Sequence, residues 1–279
     1  MRLSPIKCTL KKFFKRFIRS KIIESAPHKS SSKEVSQPPT GILLVDKESG
    51  LLSFQLVKML RRRLGVAKVG HSGTLDPNAS GLMVMLIGRE YTRLSESLTA
   101  QHKRYRAVIR LGQETNTYDC DGEILAESSD LPDFASIQKA IEAFEGWSDQ
   151  VPPMHSAKKI GGQTLYNLAR RGIEIERAPV RVWMSFSQIE YRSPDLIIEI
   201  HCSKGTYIRS FAHDLGRALG CGAHLKELCR TASGEFLLEQ AIPSRELLNP
   251  DFPLLESIRV HSEVAKEVIE KKTIQKMGE

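Results

Sequence analysis

Asp76 is the residue with the clearest chemical potential in this sequence. It lies in the stretch HSGTLDPNASG, directly before Pro77 and between Gly73 and Gly81. Because proline displaces the preceding residue from helical angles, Asp76 is expected on a loop. The apolar run LMVMLIG that follows predicts a buried strand. A carboxylate on such a loop could act as a nucleophile or base, although an Asx turn is the simpler explanation of these residues alone.

Two further segments combine a tyrosine with basic residues. QHKRYR places Tyr105 among histidine, lysine and arginine side chains, a composition suited to stacking on a nucleobase while the cations meet phosphates. SKGTYIRS places Tyr207 and Arg209 two positions apart, on one side of the chain if the segment is extended. Arg209 could pair with an isolated carboxylate such as Asp76 and hold it ionised. Taken alone, each segment is also explained by an ordinary strand or a surface ion pair.

A third basic group lies in a loop that leads into a helix. PPMHSAKKIGGQTLYNLARRG, residues 152–172, carries Lys158, Lys159, Arg170 and Arg171. Cations on a long loop are typical of an element that grips RNA through its phosphates, and equally of a solvated helix face. These residues alone do not decide between the two interpretations.

Hydrophobic patterning predicts the elements that must position these side chains. Strands are predicted at GILLVD, LMVMLIG and RYRAVIRLG, and in a pair over 180–189 and 196–202 joined by the turn RSPD. Helices are predicted over 53–64 with Ser53 as N-cap, over 136–144, and over 207–219. Short strands and helices in mixed order favour an α/β or α+β domain built on a mostly antiparallel sheet.

Net charge is concentrated at the amino terminus. The chain has 279 residues, with 41 Lys or Arg and 33 Asp or Glu. Residues 1–40 hold ten of the basic residues and two of the acidic ones, a net of +8, so residues 41–279 hold 31 of each and are neutral. Overall basicity is therefore weak support for nucleic acid binding, and local clusters matter more.

The first forty residues form a basic extension that we expect to be disordered or partly helical. Cys8 to Ile23 mixes apolar and basic residues as an amphipathic helix does, and a polar linker follows. An RNA-clinging arm, an organelle-targeting presequence and a solvated tail are the three interpretations. We expect the catalytic body over 41–247, and 248–279 as a short C-terminal segment, since about thirty residues are too few for an independent core.

Several function classes lose support. The sequence has no run of eighteen apolar residues, which excludes a membrane-spanning helix. It also lacks Walker, dinucleotide-binding and His-Glu-x-x-His motifs. Five cysteines without a Cys-x-x-Cys pair suit a reducing compartment and match no zinc pattern. A glycosidase would need a second carboxylate near Asp76, and nothing in the sequence pairs it with the possible partners, Asp119, Asp121 and Asp214.

Five segments together resemble, in order and spacing, the motifs of the TruB-type tRNA pseudouridine synthases. They are GILLVDKESG, GHSGTLDPNASGLMVMLIG, KRYRAVIRLGQETNTYDCDG, PPMHSAKKIGGQTLYNLARRG and HCSKGTYIRSFAHDLGRALGCGAHLKELCRTASGEF. The resemblance implies an α+β fold with a large, mostly antiparallel central sheet flanked by helices and loops. It also implies an enzyme that isomerises uridine to pseudouridine at position 55 in the T loop of tRNA, without guide RNA, metal or cofactor. We expect a cytoplasmic monomer that binds the T arm, with organelle targeting by residues 1–40 as the alternative.

The resemblance implies roles for particular residues. Asp76 matches the catalytic aspartate, which either attacks C1′ or removes a proton from C2′ of a flipped-out uridine, and each role needs an ionised carboxylate. The other matches are Arg209 as its charge partner, Tyr105 stacking on the base, Tyr207 as a candidate for proton transfer at C5, Leu228 packing against the base, His71 filling the space left by flipped bases, and 152–172 as the RNA-gripping insertion.

Departures from the family pattern and two alternatives remain open. Glu48, Leu52 and His155 replace residues that are commoner in the family, and 248–279 resembles only the beginning of its C-terminal RNA-binding domain. One alternative is a guide-RNA-dependent synthase of the dyskerin type, which shares the HSGTLDP wording; the long insertion argues against it. The other is a catalytically idle tRNA-binding module or folding chaperone, against which the intact set of site residues argues.

Overall fold

A computed structural model describes residues 38–156 and 158–277, without the side chains of Lys159 and of residues 267–277. The helix predicted for Cys8 to Ile23 lies outside these residues. The strands of the described part are β1 Gly41–Lys47, β2 Val69–His71, β3 Ser80–Ile87, β4 Lys103–Leu111, β5 Gln113–Thr115, β6 Ile124–Glu127, β7 Gly146–Gln150, β8 Lys159–Ile160, β9 Gln163–Thr164, β10 Val180–Arg192, β11 Asp195–Cys202, β12 Ala223–Ser233, β13 Phe236–Leu237 and β14 Ile242–Pro243. The helices are α1 Ser53–Leu64, α2 Arg89–Thr92, α3 Ser95–Thr99, α4 Phe134–Glu142, α5 Leu165–Ala169, α6 Ile208–Leu219 and α7 Leu254–Met277, with 3₁₀ turns at Leu238–Gln240 and Ser244–Leu247.

One large sheet organises the described part of the chain. Its strand order is β14-β1-β3-β12-β4-β11-β10-β7, with β2 on β3 and β13 on β12. Neighbouring strands are antiparallel except for the pairs β1–β14 and β3–β12. The predicted fold class, a large and mostly antiparallel sheet flanked by helices, is confirmed.

The apolar side chains form three clusters on this sheet. The first covers β4, β10, β11 and β12 and packs against α4 and α6. The second and third lie on opposite faces of β1 and β3, because successive side chains of a strand alternate between faces. Tyr105 and Leu228 pack against both the first cluster and the second. Two of the predicted site residues therefore lie at the seam between the halves of the sheet.

Most of the predicted elements are confirmed. The helix over 53–64 has the predicted bounds, and Gly65 ends it in the left-handed conformation, with φ of 65°. The strand pair 180–189 and 196–202 is found as β10 and β11, each slightly longer, with a bulge between Ser187 and Glu190. These elements show a clear local hydrophobic period, which is why the sequence suffices to find them.

The predicted N-cap of α1 is wrong. Leu52 occupies that position with extended backbone angles, and its N–H donates to Gln55 Oε1 at 2.7 Å. Ser53 is buried instead, and its hydroxyl donates to Leu75 O at 2.9 Å and accepts from Leu75 N at 3.0 Å. A serine suited to capping by its type thus holds a distant loop, an outcome that only the packing decides.

Residues 152–172 contain a hairpin that the sequence analysis did not predict. Strands β8 and β9 are joined at Gly161 and Gly162, whose φ values of 59° and 81° suit a type I′ turn. Thr164 then caps α5, accepting from Asn167 N at 3.3 Å. The basic segment is therefore a folded element with its own turn.

Helix α7 completes the hydrogen bonding of β1. Ile42 N donates to Ser262 Oγ at 2.8 Å, and Leu44 N donates to His261 Nδ1 at 3.2 Å. The other ring nitrogen, Nε2, lies 2.9 Å from Gln240 O, so the neutral ring donates there. Because β14 pairs only with Val45 and Asp46 of β1, these side chains take the place of a neighbouring strand at N–H groups that would otherwise be unpaired. The domain boundary proposed at 247 stays a prediction.

Two kinds of feature are absent from the part of the chain that the structure describes. None of its helices is long and apolar enough to cross a membrane. Within the same residues, histidine, cysteine and carboxylate side chains nowhere gather in a group of three that could hold a metal ion. Independence from metals and cofactors stays a prediction.

His261 should make stability depend on pH. Burial lowers its pKa to about 4 from the ordinary 6.5. Its contribution is therefore complete above pH 6.5 and is lost as the pH falls toward 4. The loss amounts to about 3 kcal/mol, because one pKa unit corresponds to about 1.4 kcal/mol. Urea unfolding between pH 7.5 and 4 measures it.

The variant His261→Gln isolates this contribution from those of the other histidines. It should be less stable than the wild type at pH 7.5, and the difference in unfolding free energy should shrink toward pH 4. A difference that stays constant across this range would contradict the role given to the neutral ring.

Candidate active site

The loop that carries Asp76 connects β2 to β3 and is held on both sides of the carboxylate. Before it, the hydroxyl of Ser53 bonds the N–H and the carbonyl of Leu75. After it, the ammonium of Lys47 donates to Pro77 O at 3.0 Å. Both chain neighbours of Asp76 are thus tied to the buried part of the sheet and α1, so the carboxylate projects from a rigid turn.

Lys47 is a completely buried cation beside this loop. Besides Pro77 O, its ammonium donates to Glu48 O at 3.2 Å and Leu51 O at 2.7 Å. Burial lowers the pKa of Lys47 to about 8, although the nearby charge of Asp76 acts in the opposite direction. The side chain therefore joins two loops and supplies positive charge close to the carboxylate.

Arg209 brings Asp76 together with a second carboxylate. Its guanidinium is only 5% exposed, with Nε 3.0 Å from Asp76 Oδ2 and Nη1 3.3 Å from Asp119 Oδ2. It also donates to His155 O at 2.8 Å and to Thr117 O at 3.4 Å. These partners belong to three different loops, so one planar, multivalent cation fixes the relative position of all three.

Helix α6 places Arg209 at this junction. Tyr207 is the last extended residue before the helix, and its backbone N–H and carbonyl are both bonded by the side chain of Gln150, at 2.8 and 3.0 Å. Ser210 Oγ adds a bond to Val151 O at 3.1 Å. The helix predicted over 207–219 begins at Ile208, so Arg209 lies in its first turn, and the condition of an extended segment, under which Tyr207 and Arg209 would share one side, is not met.

Opposing effects act on the Asp76 carboxylate. Burial among the surrounding protein atoms raises its pKa above the usual 3.8, and the neighbouring Asp119 adds to the rise. The cations Arg209 and Lys47 act in the opposite direction. The side chain is nevertheless 43% exposed, which leaves one side of the carboxylate open for a substrate.

The structure brings several of the predicted site residues together. Asp76, Arg209 and Leu228 line one cleft. Tyr105 lies at the seam, where burial raises the pKa of its hydroxyl and the charge of Asp76 raises it further. The hydrogen bonds of Tyr207 to Gln150 are made by its backbone, and they hold it at the start of α6, two residues before Arg209.

The predicted RNA contacts differ in their burial and in their connection to this cleft. His71 ends β2, and its buried Nδ1 has no partner among the described residues. Burial and the charge of Arg230 lower the pKa of His71, so the ring is neutral at pH 7. Arg170 and Arg171 are exposed at the end of α5, while Lys158 is partly buried. The insertion reaches the cleft through the carbonyl of His155 on Arg209.

Sequence reasoning missed three contributions to the site. Lys47 and Arg230 are buried cations next to the Asp76 loop, and Asp119 is the second carboxylate on Arg209. Asp119 was one of three possible partners, with no reason to prefer it. The signal for Lys47 was present, since a lysine directly after a buried apolar strand needs partners for its charge.

Two family models together match residues 61–251 of the chain. The model described as TruB family pseudouridylate synthase (N terminal domain) matches residues 61–208, and the tRNA pseudouridylate synthase B C-terminal domain matches 209–251. The chain belongs to the TruB family. The tRNA pseudouridine synthase B of Protochlamydia amoebophila (strain UWE25) is 51% identical to this TruB-family chain over 78% of it and 84% of the relative. The tRNA pseudouridine synthase B of Chlamydia abortus (strain DSM 27085 / S26/3) is 50% identical, and the match covers 78% of this chain and 93% of the relative.

Solved structures resemble this TruB-family enzyme in fold. A chain of a Cbf5-Nop10-Gar1 complex is 27% identical with a TM-score of 0.57, and the match covers 79% of the enzyme and 60% of that chain. A chain of the archaeal box H/ACA sRNP Nop10-Cbf5 complex is 25% identical with a TM-score of 0.55, and the match covers 85% of the enzyme and 65% of that chain. The enzyme thus spans about two thirds or less of these chains. The resemblance inferred from the five motifs is confirmed, and the chain is a pseudouridylate synthase, an isomerase.

Arg209→Gln should move the acid limb of the pH–rate profile to higher pH. The substitution removes the cation that most strongly opposes the effect of burial, so the pKa of Asp76 rises further and protonation begins nearer neutrality. Single-turnover rates between pH 4.5 and 8 measure the shift. Arg209→Lys, which keeps the charge, should shift the limb less, and Arg192→Gln, at an exposed ion pair far along β10, should not shift it. An unchanged limb in Arg209→Gln would contradict this electrostatic account.

Proposed function

We propose that this TruB-family enzyme converts uridine to pseudouridine at position 55 in the T loop of tRNA, without a guide RNA. The observation that carries the proposal is the partly exposed Asp76 carboxylate, held by the buried Arg209 in a cleft that Leu228 also lines. A carboxylate in this arrangement is accessible to a substrate, and the ion pair fixes its orientation. Relatives named tRNA pseudouridine synthase B, about half identical over most of their length, support tRNA as the substrate.

The reaction replaces the C1′–N1 bond between ribose and uracil with a C1′–C5 bond. The glycosidic bond between C1′ and N1 breaks, the uracil turns while held, and C5 bonds to C1′. C5 then loses its proton and N1 gains one, so the product is an isomer of the substrate. Asp76 either attacks C1′ and later leaves it, or removes the C2′ proton and later returns it. Each role requires the ionised carboxylate that Arg209 and Lys47 favour.

The target base must leave the loop before the carboxylate can reach its ribose. Tyr105 and Leu228 lie where the two apolar clusters of the sheet meet, and they offer a ring and an aliphatic side chain as the walls of a base pocket. Stacking on an aromatic ring contributes about 1–3 kcal/mol per base. That gain offsets the cost of unstacking the uridine.

The basic insertion suits a role in gripping the T arm. Its exposed Arg170 and Arg171 lie beyond the carbonyl of His155, which is bonded to Arg209. Contacts to phosphates would thus be linked, through one guanidinium, to the position of Asp76. The monomeric state, the cytoplasmic location and the role of residues 1–40 stay predictions.

A stand-alone tRNA enzyme is favoured over the alternatives. The Cbf5 chains that match in fold were solved in complexes with Nop10, or with Nop10 and Gar1, and they are longer than this chain and only about a quarter identical to it, whereas the tRNA pseudouridine synthase B relatives are about half identical. An idle binding module would have no need of an acid held by a buried cation. A second, non-catalytic role in tRNA folding is compatible with the proposal.

Asp76→Asn should abolish product formation. Purified protein is incubated with an unmodified tRNA transcript, and pseudouridine is mapped along the RNA. The wild type should modify the T-loop uridine without added guide. The variant should fold, because Asn keeps an oxygen that can accept from Arg209 Nε and Asp119 remains as a charge partner of the guanidinium, yet it should form no detectable product.

Two controls accompany this assay. Asp121→Asn changes an exposed carboxylate on the turn that carries Asp119, and it should retain the wild-type rate. A transcript with cytidine at position 55 should yield no pseudouridine there. Equal product from Asp76→Asn and the wild type would refute the assignment of Asp76, and absence of product from the wild type would refute the proposed substrate.

The double variant Arg170→Glu and Arg171→Glu should weaken tRNA binding most at low salt. Each lost phosphate contact reduces the slope of log affinity against log salt by nearly one unit, so a decrease of about one to two is expected. Filter binding between 50 and 300 mM salt measures it. The matched control is Arg192→Glu with Arg245→Glu, two exposed arginines elsewhere. An equal loss in both pairs would show that overall charge, and not the insertion, is responsible.

A further inference from the structure

Arg230 is a buried arginine whose donors converge on the surroundings of Asp76. It lies in β12 and is 2% exposed. Its Nη1 donates to Thr74 O at 3.3 Å and its Nη2 to Gly73 O at 3.2 Å, while Nε donates to Leu82 O at 2.7 Å. The guanidinium therefore bonds both the start of the Asp76 loop and the strand that follows it.

The fit between β12 and this loop is tight. A side chain at Gly81 would meet the backbone oxygen of Arg230 at 2.4 Å, and Gly81 has φ of 101°. The close approach of the two strands brings the guanidinium directly beneath residues 73 and 74. Together with Ser53 on Leu75 and Lys47 on Pro77, it completes a series of contacts on both sides of Asp76.

Arg230 is also the cross-strand neighbour of Tyr105 on β4, and its charge acts on the Tyr105 hydroxyl, lowering a pKa that burial raises. A guanidinium has only donors, so in a hydrogen bond between these two side chains the tyrosine oxygen is the acceptor. The hydroxyl proton of Tyr105 is then directed away from Arg230. Because Tyr105 lies at the seam, close enough to Asp76 for that charge to act on its hydroxyl, an acceptor on a nucleotide bound in the cleft could take this proton.

We propose that Arg230 is a positioning residue for the reaction, which holds the Asp76 loop through two carbonyls and makes the Tyr105 hydroxyl a hydrogen-bond donor to an oxygen of the flipped nucleotide. The proposal rests on the proposed function, since it assumes a nucleotide in this cleft. It assigns Arg230 no contact with the substrate. Its effect is transmitted by the geometry of Asp76 and Tyr105.

Arg230→Lys tests the proposal, because lysine keeps the positive charge but lacks the planar guanidinium that bonds two carbonyls at once. We expect the single-turnover rate at saturating tRNA to fall at least about tenfold, since small displacements of a catalytic group are costly, with the dissociation constant for tRNA changed less than about threefold. Arg63→Lys is the matched control, because Arg63 also donates to two backbone carbonyls, those of Glu246 and Phe252, away from the cleft. It should reduce thermal stability and leave the rate unchanged.

A double-mutant cycle tests the hydroxyl. Tyr105→Phe removes the group that Arg230 orients, so Arg230→Lys should slow the Tyr105→Phe enzyme by a smaller factor than it slows the wild type. If the rate of the double variant is reduced by the full product of the factors for the two single variants, the orientation of Tyr105 by Arg230 is refuted. A rate loss in Arg63→Lys equal to that in Arg230→Lys would refute the positioning role, since general destabilisation would then explain both.

Hydrogen exchange of the free protein separates this proposal from the proposed function. Amides of residues 72–79 should exchange faster in Arg230→Lys than in the wild type, while those of α6 should be unchanged. This readout needs no tRNA, so it holds even if the wild type forms no pseudouridine. Unchanged exchange in the loop would overturn the clamp on Gly73 and Thr74 whatever the substrate proves to be.

Discussion

The ion pair between Arg209 and Asp76 is the interaction on which the site depends. The guanidinium is buried, and it also reaches Asp119 and two carbonyls. A buried cation without these partners would strongly destabilise the folded state. The three loops that supply the partners must therefore come together when the protein folds. The ion pair that neutralises Arg209 also holds the Asp76 carboxylate in place, so the fold is stabilised by the same contact that positions the reactive group.

The other buried cations extend this arrangement. Lys47 and Arg230 bond backbone carbonyls on either side of Asp76, and they use their charge to fix the chain. Burial makes the Asp76 anion less favourable, whereas Lys47 and Arg209 make it more favourable. A carboxylate under these opposing effects is held in place, partly exposed and still ionisable, which suits attack on a ribose carbon or removal of its proton.

The sheet explains where the cleft lies. One apolar cluster packs under α4 and α6 and another under α1, and Tyr105 and Leu228 are shared between them. A seam between two cores is a place where side chains remain partly open while their backbones are held rigidly. At the far edge of the sheet, His261 and Ser262 complete β1, so the stability of that half depends on a neutral ring that has no part in the chemistry.

Sequence by itself determined the motif residues, the loop of Asp76, the bounds of α1 and most strands, because these follow from residue type and local hydrophobic period. It also identified Arg209 as a partner for Asp76, through the family resemblance. It did not place Ser53 on Leu75, distinguish Asp119 from its neighbours, or show Arg230 under a loop 156 residues away in the chain. Those relations were decided by tertiary structure. They arise from burial of charged and polar groups, whose partners are chosen by whichever segments the packed sheet brings within hydrogen-bonding distance.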